Sequence, residues 1–222
     1  MATKQILAEL GAAYLAQTGV RLEIESVGGV DAARRVQADE IFDVVLLASD
    51  AIERLIASGH LVQGSRLDWV HSPVAVAVPA KAAAPDIGSE AALKAAVLAA
   101  TTISYSTGPS GNYLTGLFAR WGIADAVKAK LVVPPPGTPV GSLVARGEAA
   151  LGFQQLSELQ NLEGVNVIGN LPAEVAFITT FSAGIPSKLS PARVRNVKDF
   201  LNFLNTPETQ PIKLQQGMYP IQ

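Results

Sequence analysis

Cysteine is absent from this sequence of 222 residues, which excludes disulfide bonds, thiol nucleophiles and thiolate metal sites. Histidine is almost absent, because His60 and His71 are the only two and do not form an i, i+4 pair. A histidine-based zinc site is therefore not expected. We predict that the protein uses no metal and no other cofactor.

An excess of basic charge is also lacking. The chain has 17 Lys and Arg against 19 Asp and Glu, a formal net charge of −2, and no basic block. Nucleic-acid binding depends on clustered positive charge, so we expect no nucleic-acid partner. The longest apolar runs are far shorter than the roughly 20 residues that span a bilayer, so we expect no membrane insertion. The N-terminal residues show no signal-peptide pattern.

The residues that are present predict a folded α/β protein, since 49% are hydrophobic and 16% are charged. Residues 4–17 have apolar positions at helical spacing, and residues 21–26 alternate as in a half-buried strand. Residues 42–47 form an apolar run typical of a strand in a parallel sheet. Strand and helix patterns keep alternating through residues 89–168, which predicts mostly parallel sheets.

Two apolar runs, residues 74–78 and 177–183, predict strands that cross from one half of the chain to the other. We therefore expect two α/β lobes with mostly parallel sheets, joined by two crossing hinge strands. Lobe 1 is predicted to comprise residues 1–76 and 178–222, and lobe 2 residues 77–177.

The stretch from Thr102 to Phe118 predicts a strand, a polar loop at residues 106–112 and a helix from Tyr113. The first N–H groups of such a helix have no intrahelical partner, and hydroxyl groups surround them, which makes the junction suited to an anion. The alternative is that Ser110 or Asn112 only caps the helix and that the glycines only form the turn.

Further small or neutral polar residues follow the other predicted strands, at the edge where α/β sheets bind ligands. Each also has a structural interpretation: the glycines form a turn, and the serine caps a helix. No nucleophile elbow, phosphate-binding loop or dinucleotide fingerprint occurs. The pattern favours binding over catalysis, and the residues concerned are Gly28, Gly29, Ser49, Ser106, Thr138, Gln154 and Gln155.

The chain resembles the bacterial extracellular solute-binding proteins of the molybdate-binding type. The resemblance covers nearly the whole length and is carried by the order of FDVVLLASDAIERLIASGHLV (42–62), ISYSTGPSGNYLTGLFARWGIADAVKAKL (103–131), VARGEAALGFQQLSEL (144–159) and FLNFLNTPETQPIKLQQGM (200–218). It implies a type II periplasmic-binding fold, a small anion bound in an interlobe cleft, a membrane permease of an ABC transporter as partner, a monomer and a periplasmic location.

The resemblance also implies ligand contacts at Ser110 and Gly111 and in the segment Thr138 to Val140. Two features depart from the family. The family starts with a strand and a serine-containing turn, for which the sequence offers no counterpart before its first helix. Gln154 and Gln155 stand where molybdate binders have a tyrosine. These departures favour another oxyanion or a small carboxylate over molybdate.

Three functions follow from these observations. The first is binding of a small anion by Gly28, Gly29, Ser49, Ser106, Ser110, Gly111, Asn112, Thr138, Val140, Gln154 and Gln155. The second is an isomerase of an unsaturated tricarboxylate, since some relatives of the family resemble aconitate isomerases. The proton shift in such a reaction needs a base. The candidate bases in this chain are Asp50, His71, Tyr105 and Glu158. The third is a protein-interaction module without a small ligand. No catalytic residue is assigned.

Overall fold

A computed structural model describes residues 2–135 and 137–221. The chain divides into two compact units. Unit 1 comprises the residues up to Ser72 and those from Thr180 on, and unit 2 comprises Pro73–Thr179. The chain passes between the units within two strands, Leu67–Pro79 and Ile178–Gly184.

The elements of unit 1 are mainly helices around a short antiparallel sheet. They are α1 (Lys4–Thr18), α2 (Gly29–Gln37), β1 (Val45–Ala48), α3 (Ser49–Ala57), the first half of β2 (Leu67–Pro79), the second half of β6 (Ile178–Gly184), α9 (Pro191–Leu204), α10 (Gln210–Gln215) and β7 (Tyr219–Pro220), with a 3-10 turn at Pro207–Thr209.

The main core of unit 1 lies where α1 and α9 pack together. Tyr14 of α1 contacts Phe200 edge-on, with ring centroids 5.3 Å apart, and lies 5.1 Å from Phe203. Lys213 of α10 is buried beside them, and its ammonium group donates to the Trp69 carbonyl at 2.9 Å. The helical spacing in residues 4–17 thus predicted the helix that carries this core.

Unit 2 has a central sheet between helices. Its elements are the second half of β2, α4 (Glu90–Ala99), β3 (Ile103–Tyr105), α5 (Pro109–Arg120), α6 (Ala124–Lys128), α7 (Val140–Ala145), β4 (Leu151–Gln155), α8 (Leu156–Leu159), β5 (Val165–Asn170), a 3-10 turn at Ala173–Val175 and the start of β6.

Strand β2 divides the interior of unit 2 into two cores. Its residues alternate between the two faces of the sheet, as a strand period of two requires. Val74, Val76 and Val78 belong to the core that also contains the buried residues of α4 and α5. Ala75 and Ala77 belong to the core on α7, where their small side chains allow close packing. The sheet is therefore covered on both faces.

The α/β class is confirmed, but the expectation of mostly parallel sheets is wrong. Among the described strands only β3 and β4 pair in parallel, whereas β1–β6, β2–β4, β2–β5 and β2–β7 are antiparallel. All four antiparallel pairs involve a strand that crosses between the units. Such a strand is not joined to its neighbour by a βαβ connection, which is what imposes a parallel direction.

The strand predicted at residues 21–26 is also absent, since residues 20–28 have no regular secondary structure. Leu22 still packs against the main core of unit 1, as its alternation with charged residues predicted. No described strand pairs with this segment, and a strand forms only where its backbone groups find a neighbouring strand. The described helices include none that is both long and apolar enough to cross a membrane.

Candidate functional site

The carboxyl ends of β3 and β4 form one edge of the unit 2 sheet. Tyr105 pairs with Phe153 in parallel register. Ser106 and Gln154 follow these two residues, so they are neighbours at this edge. Ligands of open α/β sheets bind beyond the carboxyl ends of the strands.

Helix α5 begins at Pro109, four residues earlier than predicted. Proline suits the first position of a helix because its fixed φ is helical and no N–H is lost. Ser110, Gly111 and Asn112 therefore lie in the first turn rather than in a loop. The N–H groups of Ser110 and Gly111 have no backbone acceptor among the described residues. They are available at the positive end of the helix dipole.

Ser110 does not cap α5, because Gly108 occupies the N-cap position and no described side chain caps the helix. Instead, the Ser110 hydroxyl lies 2.8 Å from the Ser106 hydroxyl, and either group can donate. Ser110 is buried, with 2% of its surface exposed. The capping interpretation of Ser110 is thus wrong, and the two hydroxyls form a pair beside the free N–H groups.

A pocket of about 230 Å³ opens beside this helix turn. It is lined by Tyr105, Ser106, Thr107, Gly111, Asn112, Thr115, Leu131 and Val133, none of which is charged. Thr115, which the sequence interpretation missed, lies four residues after Gly111 and so on the same helix face. Its hydroxyl donates to the Gly111 carbonyl at 2.9 Å. Helical spacing from Gly111 would have found it.

The two glutamines have structural hydrogen bonds. The Gln154 Oε1 accepts from the Gly141 N–H at 3.0 Å. The Gln155 Nε2 donates to the Thr179 hydroxyl at 2.6 Å, and its Oε1 has no partner among the described residues. Both side chains are buried. The amides therefore fix α7 and the start of β6, and neither lines the pocket.

Thr138 and Val140 also lie outside the pocket lining. The Thr138 N–H donates to the Pro135 carbonyl at 2.9 Å in a turn. Val140 begins α7 and is buried in the core that contains Ala75 and Ala77. The predicted residues of unit 2 thus form one group around the first turn of α5 and a second around α7, while Gln155 bonds to Thr179 at the start of β6.

Gly28, Gly29 and Ser49 belong to unit 1, at the N-termini of two helices. Gly28 is the N-cap residue of α2, and a methyl group on it would lie 3.5 Å from the Asp31 carboxylate. Asp31 is also within 3.1 Å of Arg34. An anion at these glycines would therefore meet a carboxylate. Ser49 is the first residue of α3 and does not cap it, because Ala48 occupies the N-cap position.

The four candidate bases have different surroundings. Asp50 accepts from Arg54 at 2.7 Å, and the His71 Nδ1 lies 3.0 Å from the Thr180 hydroxyl. Tyr105 lines the pocket. Glu158 lies in the first turn of α8, and burial raises the pKa of its carboxyl group. No group of three potential metal ligands occurs in residues 2–135 and 137–221.

Comparison with known proteins identifies similar chains. An aconitate isomerase from Pseudomonas sp is 39% identical over 186 residues, which cover 81% of this chain and 71% of the relative. The periplasmic molybdate-binding protein of Azotobacter vinelandii has a TM-score of 0.80 at 21% identity, covering 100% of this chain and 96% of the other. The substrate-binding domain of a molybdenum ABC transporter from Clostridium difficile has a TM-score of 0.76 at 18% identity, with the same coverage.

The two solved structures show that the fold is that of periplasmic binding proteins, as the resemblance predicted. The sequence of the chain also matches the sequence model of a protein family, over residues 1–219. The match spans both units and both crossing strands. The chain belongs to the bacterial extracellular solute-binding protein family.

Proposed function

We propose that the protein binds a small anion at the pocket beside the first turn of α5. The observation that supports this proposal most directly is the pair of hydroxyls of Ser106 and Ser110, which lie 2.8 Å apart. They lie next to the backbone N–H groups of Ser110 and Gly111, which have no backbone acceptor among the described residues. Together they are a set of convergent hydrogen-bond donors. Two further predicted ligand residues, Gly111 and Asn112, line the same pocket and are part of this proposal.

The chemistry of the pocket favours an anion held by neutral groups. Its lining includes no lysine, arginine or histidine. Helix N-termini and hydroxyl donors bind oxyanions and carboxylates without a counter-charge. Because such a site has no positively charged side chain, it does not neutralise the charge of the ligand. It therefore distinguishes anions by their shape and by the number of hydrogen-bond acceptors that they present.

The comparison with relatives favours a small organic carboxylate over molybdate as the ligand. The protein with 39% identity acts on aconitate, a tricarboxylate. The molybdate-binding protein is only 21% identical, and Gln154 and Gln155, which stand where its family has a tyrosine, are both engaged in structural hydrogen bonds. We propose a polycarboxylate as the principal ligand and a tetrahedral oxyanion as the weaker one.

Membership of an extracellular solute-binding family supports a role outside the cytoplasm. We propose that the protein works in the periplasm as the solute-binding component of an ABC-type uptake system, as a monomer that delivers its ligand to a membrane permease. Co-purification with the permease, and light scattering of the free protein, test these two points.

Isothermal titration calorimetry tests the binding proposal. The panel is trans-aconitate, cis-aconitate, citrate, molybdate, tungstate and sulfate, with the uncharged trimethyl ester of citrate as a matched control. We expect heat and saturation with at least one polycarboxylate and no heat with the ester. Absence of binding to every member of the panel would contradict the proposal.

The second candidate function is isomerisation of an unsaturated tricarboxylate. The observation that favours it is the 39% identity to an aconitate isomerase. Ultraviolet absorbance of trans-aconitate incubated with the protein separates the two functions, since a binder leaves the double bond in place.

A further inference from the structure

We propose that Leu131 and Val133 form an apolar wall that makes the anion site select an organic acid, with a carboxylate at the first turn of α5 and the carbon chain on these two side chains. The inference rests on the proposed function, because it requires an anion at that turn. It goes further by naming the residues that determine which class of anion binds. Inorganic oxyanions are the class that the apolar wall disfavours.

The segment that carries the apolar wall runs beside β3. The Ile103 N–H donates to the Lys130 carbonyl at 2.9 Å, and the Val132 N–H donates to the Ile103 carbonyl at 2.8 Å. This is the pattern of a parallel pair, in which Leu131 lies opposite Ile103. Strand β4 occupies the other side of β3. The segment therefore extends the sheet of unit 2 beyond β3, on the side away from β4.

Leu131 and Val133 lie on the face of the sheet that α5 covers. Side chains alternate along an extended segment, and Val132, which lies between them, packs against the core on α7. The two neighbours of Val132 therefore lie on the opposite face, together with Tyr105, which packs against the core that contains buried residues of α5. Both line the pocket, and Val133 is 62% exposed. Val133 thus presents its methyl groups to the pocket and not to the core.

The pocket consequently has two unlike walls. On one side, Ser106, Thr107 and Asn112 carry hydroxyl or amide donors in the loop after β3 and in the first turn of α5. On the other side, the side chains of Leu131 and Val133 can neither donate nor accept a hydrogen bond. The side-chain donors of the pocket lining therefore belong to β3, to the loop after it and to α5, and none belongs to the apolar wall.

This arrangement suits an organic acid better than an inorganic oxyanion. Sulfate and molybdate present acceptor oxygens in every direction. The oxygens that face the apolar wall would lose water without gaining a hydrogen bond, which is unfavourable. A carboxylate has its two oxygens at one end and carbon at the other, so the donors and the apolar wall are both matched. Each methylene group that is buried on such a wall raises the affinity by about fourfold.

Val133→Thr tests the apolar wall, because threonine keeps the shape of valine and replaces one methyl group by a hydroxyl donor. Val62→Thr is the matched control, since Val62 is also an exposed valine, at 41%, and belongs to unit 1. Calorimetry measures the Kd of the polycarboxylate that binds wild type most tightly, and that of sulfate in competition with it. We expect Val133→Thr to bind the polycarboxylate about three- to tenfold more weakly and sulfate about three- to tenfold more tightly. Val62→Thr should match wild type with both ligands.

The opposite direction of the two changes separates selection from a structural effect. A loss of structure at the site would weaken the binding of both ligands together, and that result would overturn the inference. Val133→Ala is the second variant, because it removes methyl groups and adds no donor. It should bind the polycarboxylate about threefold more weakly or worse and keep the Kd of sulfate within about twofold. If Val133→Thr does not fold, Val133→Ala decides by the same two Kd values.

A pair of ligands tests the apolar wall without a substitution. Methanesulfonate has the tetrahedral head of sulfate with a methyl group in place of one oxygen. Wild type should bind methanesulfonate about fourfold more tightly than sulfate, although methanesulfonate has the smaller charge, because the methyl group fits the apolar wall. Val133→Thr should reduce this preference. Equal competition by the two ions, or stronger competition by sulfate, would overturn the inference.

Failure of this inference is distinguishable from failure of the proposed function. Wild type that binds sulfate more tightly than every polycarboxylate overturns the inference and leaves the anion site intact. The same holds if Val133→Thr binds both ligands with wild-type affinity. Wild type that produces no heat with any anion of the panel overturns the proposed function and the inference together.

Discussion

The α-carbon of Gly111 lies against the carbonyl group of Ser106, so that a methyl group on Gly111 would come within 1.6 Å of the Ser106 oxygen. This contact brings the first turn of α5 onto the end of β3. It also brings the Ser110 hydroxyl within 2.8 Å of the Ser106 hydroxyl. The geometry of the proposed anion site therefore depends on the absence of one side chain.

Gly111→Ala should disrupt the site and lower the free energy of unfolding by about 3 kcal/mol or more, because backbone must move to admit the methyl group. Gly116→Ala in the same helix is the control, since nothing lies within 4 Å of its added methyl group. It should stabilise the protein by about 0.5–1 kcal/mol, as alanine does in a helix interior. Urea unfolding measures both. Equal effects of the two substitutions would contradict the close contact.

Lys213 should make the free energy of unfolding depend on pH in the alkaline range. Burial lowers its pKa from 10.5 to about 8. Between these pH values the unfolded chain binds more protons than the folded one, so the free energy of unfolding should rise from pH 8 to pH 10.5. The shift corresponds to about 3 kcal/mol at most.

Lys213→Met should flatten this rise, whereas Lys198→Met at an exposed position of α9 should retain it. Urea unfolding at a series of pH values measures the difference between each variant and wild type. A rise of the same size in Lys213→Met and wild type would show that Lys213 is not its source.

Two buried serines should respond oppositely to loss of the hydroxyl. Ser104 and Ser182 are both 0% exposed. The Ser104 hydroxyl has no partner among the described residues, whereas Ser182 donates to the Asp68 carboxylate at 2.6 Å. Ser104→Ala should be neutral or stabilise by up to about 1 kcal/mol, because an unpaired polar group is removed from the interior.

Ser182→Ala should destabilise by about 1–3 kcal/mol, since the bond to a charged acceptor is lost. It should also raise the pKa of Asp68, which is held low chiefly by Arg66 and secondly by Ser182. Thermal unfolding at neutral and at acidic pH measures both effects. A larger loss for Ser104→Ala than for Ser182→Ala would contradict the hydrogen-bond assignment.

Patterns that depend on near neighbours in the sequence predicted the fold well. The alternation of valine and alanine at residues 74–78 predicted a crossing strand, and β2 forms there, with its valines in one core and its alanines in another. Residues 21–26 have an equally regular alternation and form no strand. Residues 74–78 have neighbouring strands to pair with, whereas no described strand pairs with residues 21–26. The local sequence does not specify whether a partner strand is present.

The candidate site was predicted only in part for the same reason. Hydroxyls and glycines after β3 predicted an anion site, and the pocket contains Ser106, Gly111 and Asn112. The hydrogen bond of Gln154 to Gly141, 13 residues away, is a tertiary contact without a local signal. The raised pKa of Glu158 is likewise a consequence of burial, which sequence alone does not give.

Calorimetric titration of Ser110→Ala with the polycarboxylate that binds wild type most tightly tests the central claim most directly. Ser190→Ala is the control, because Ser190 also lies at a helix N-terminus and makes no capping hydrogen bond. Loss of one hydrogen bond to an anion costs about 1.5–3 kcal/mol, so Ser110→Ala should weaken binding by about 10- to 100-fold. Ser190→Ala should bind as wild type does. Unchanged affinity in a folded Ser110→Ala protein would contradict an anion site at the first turn of α5.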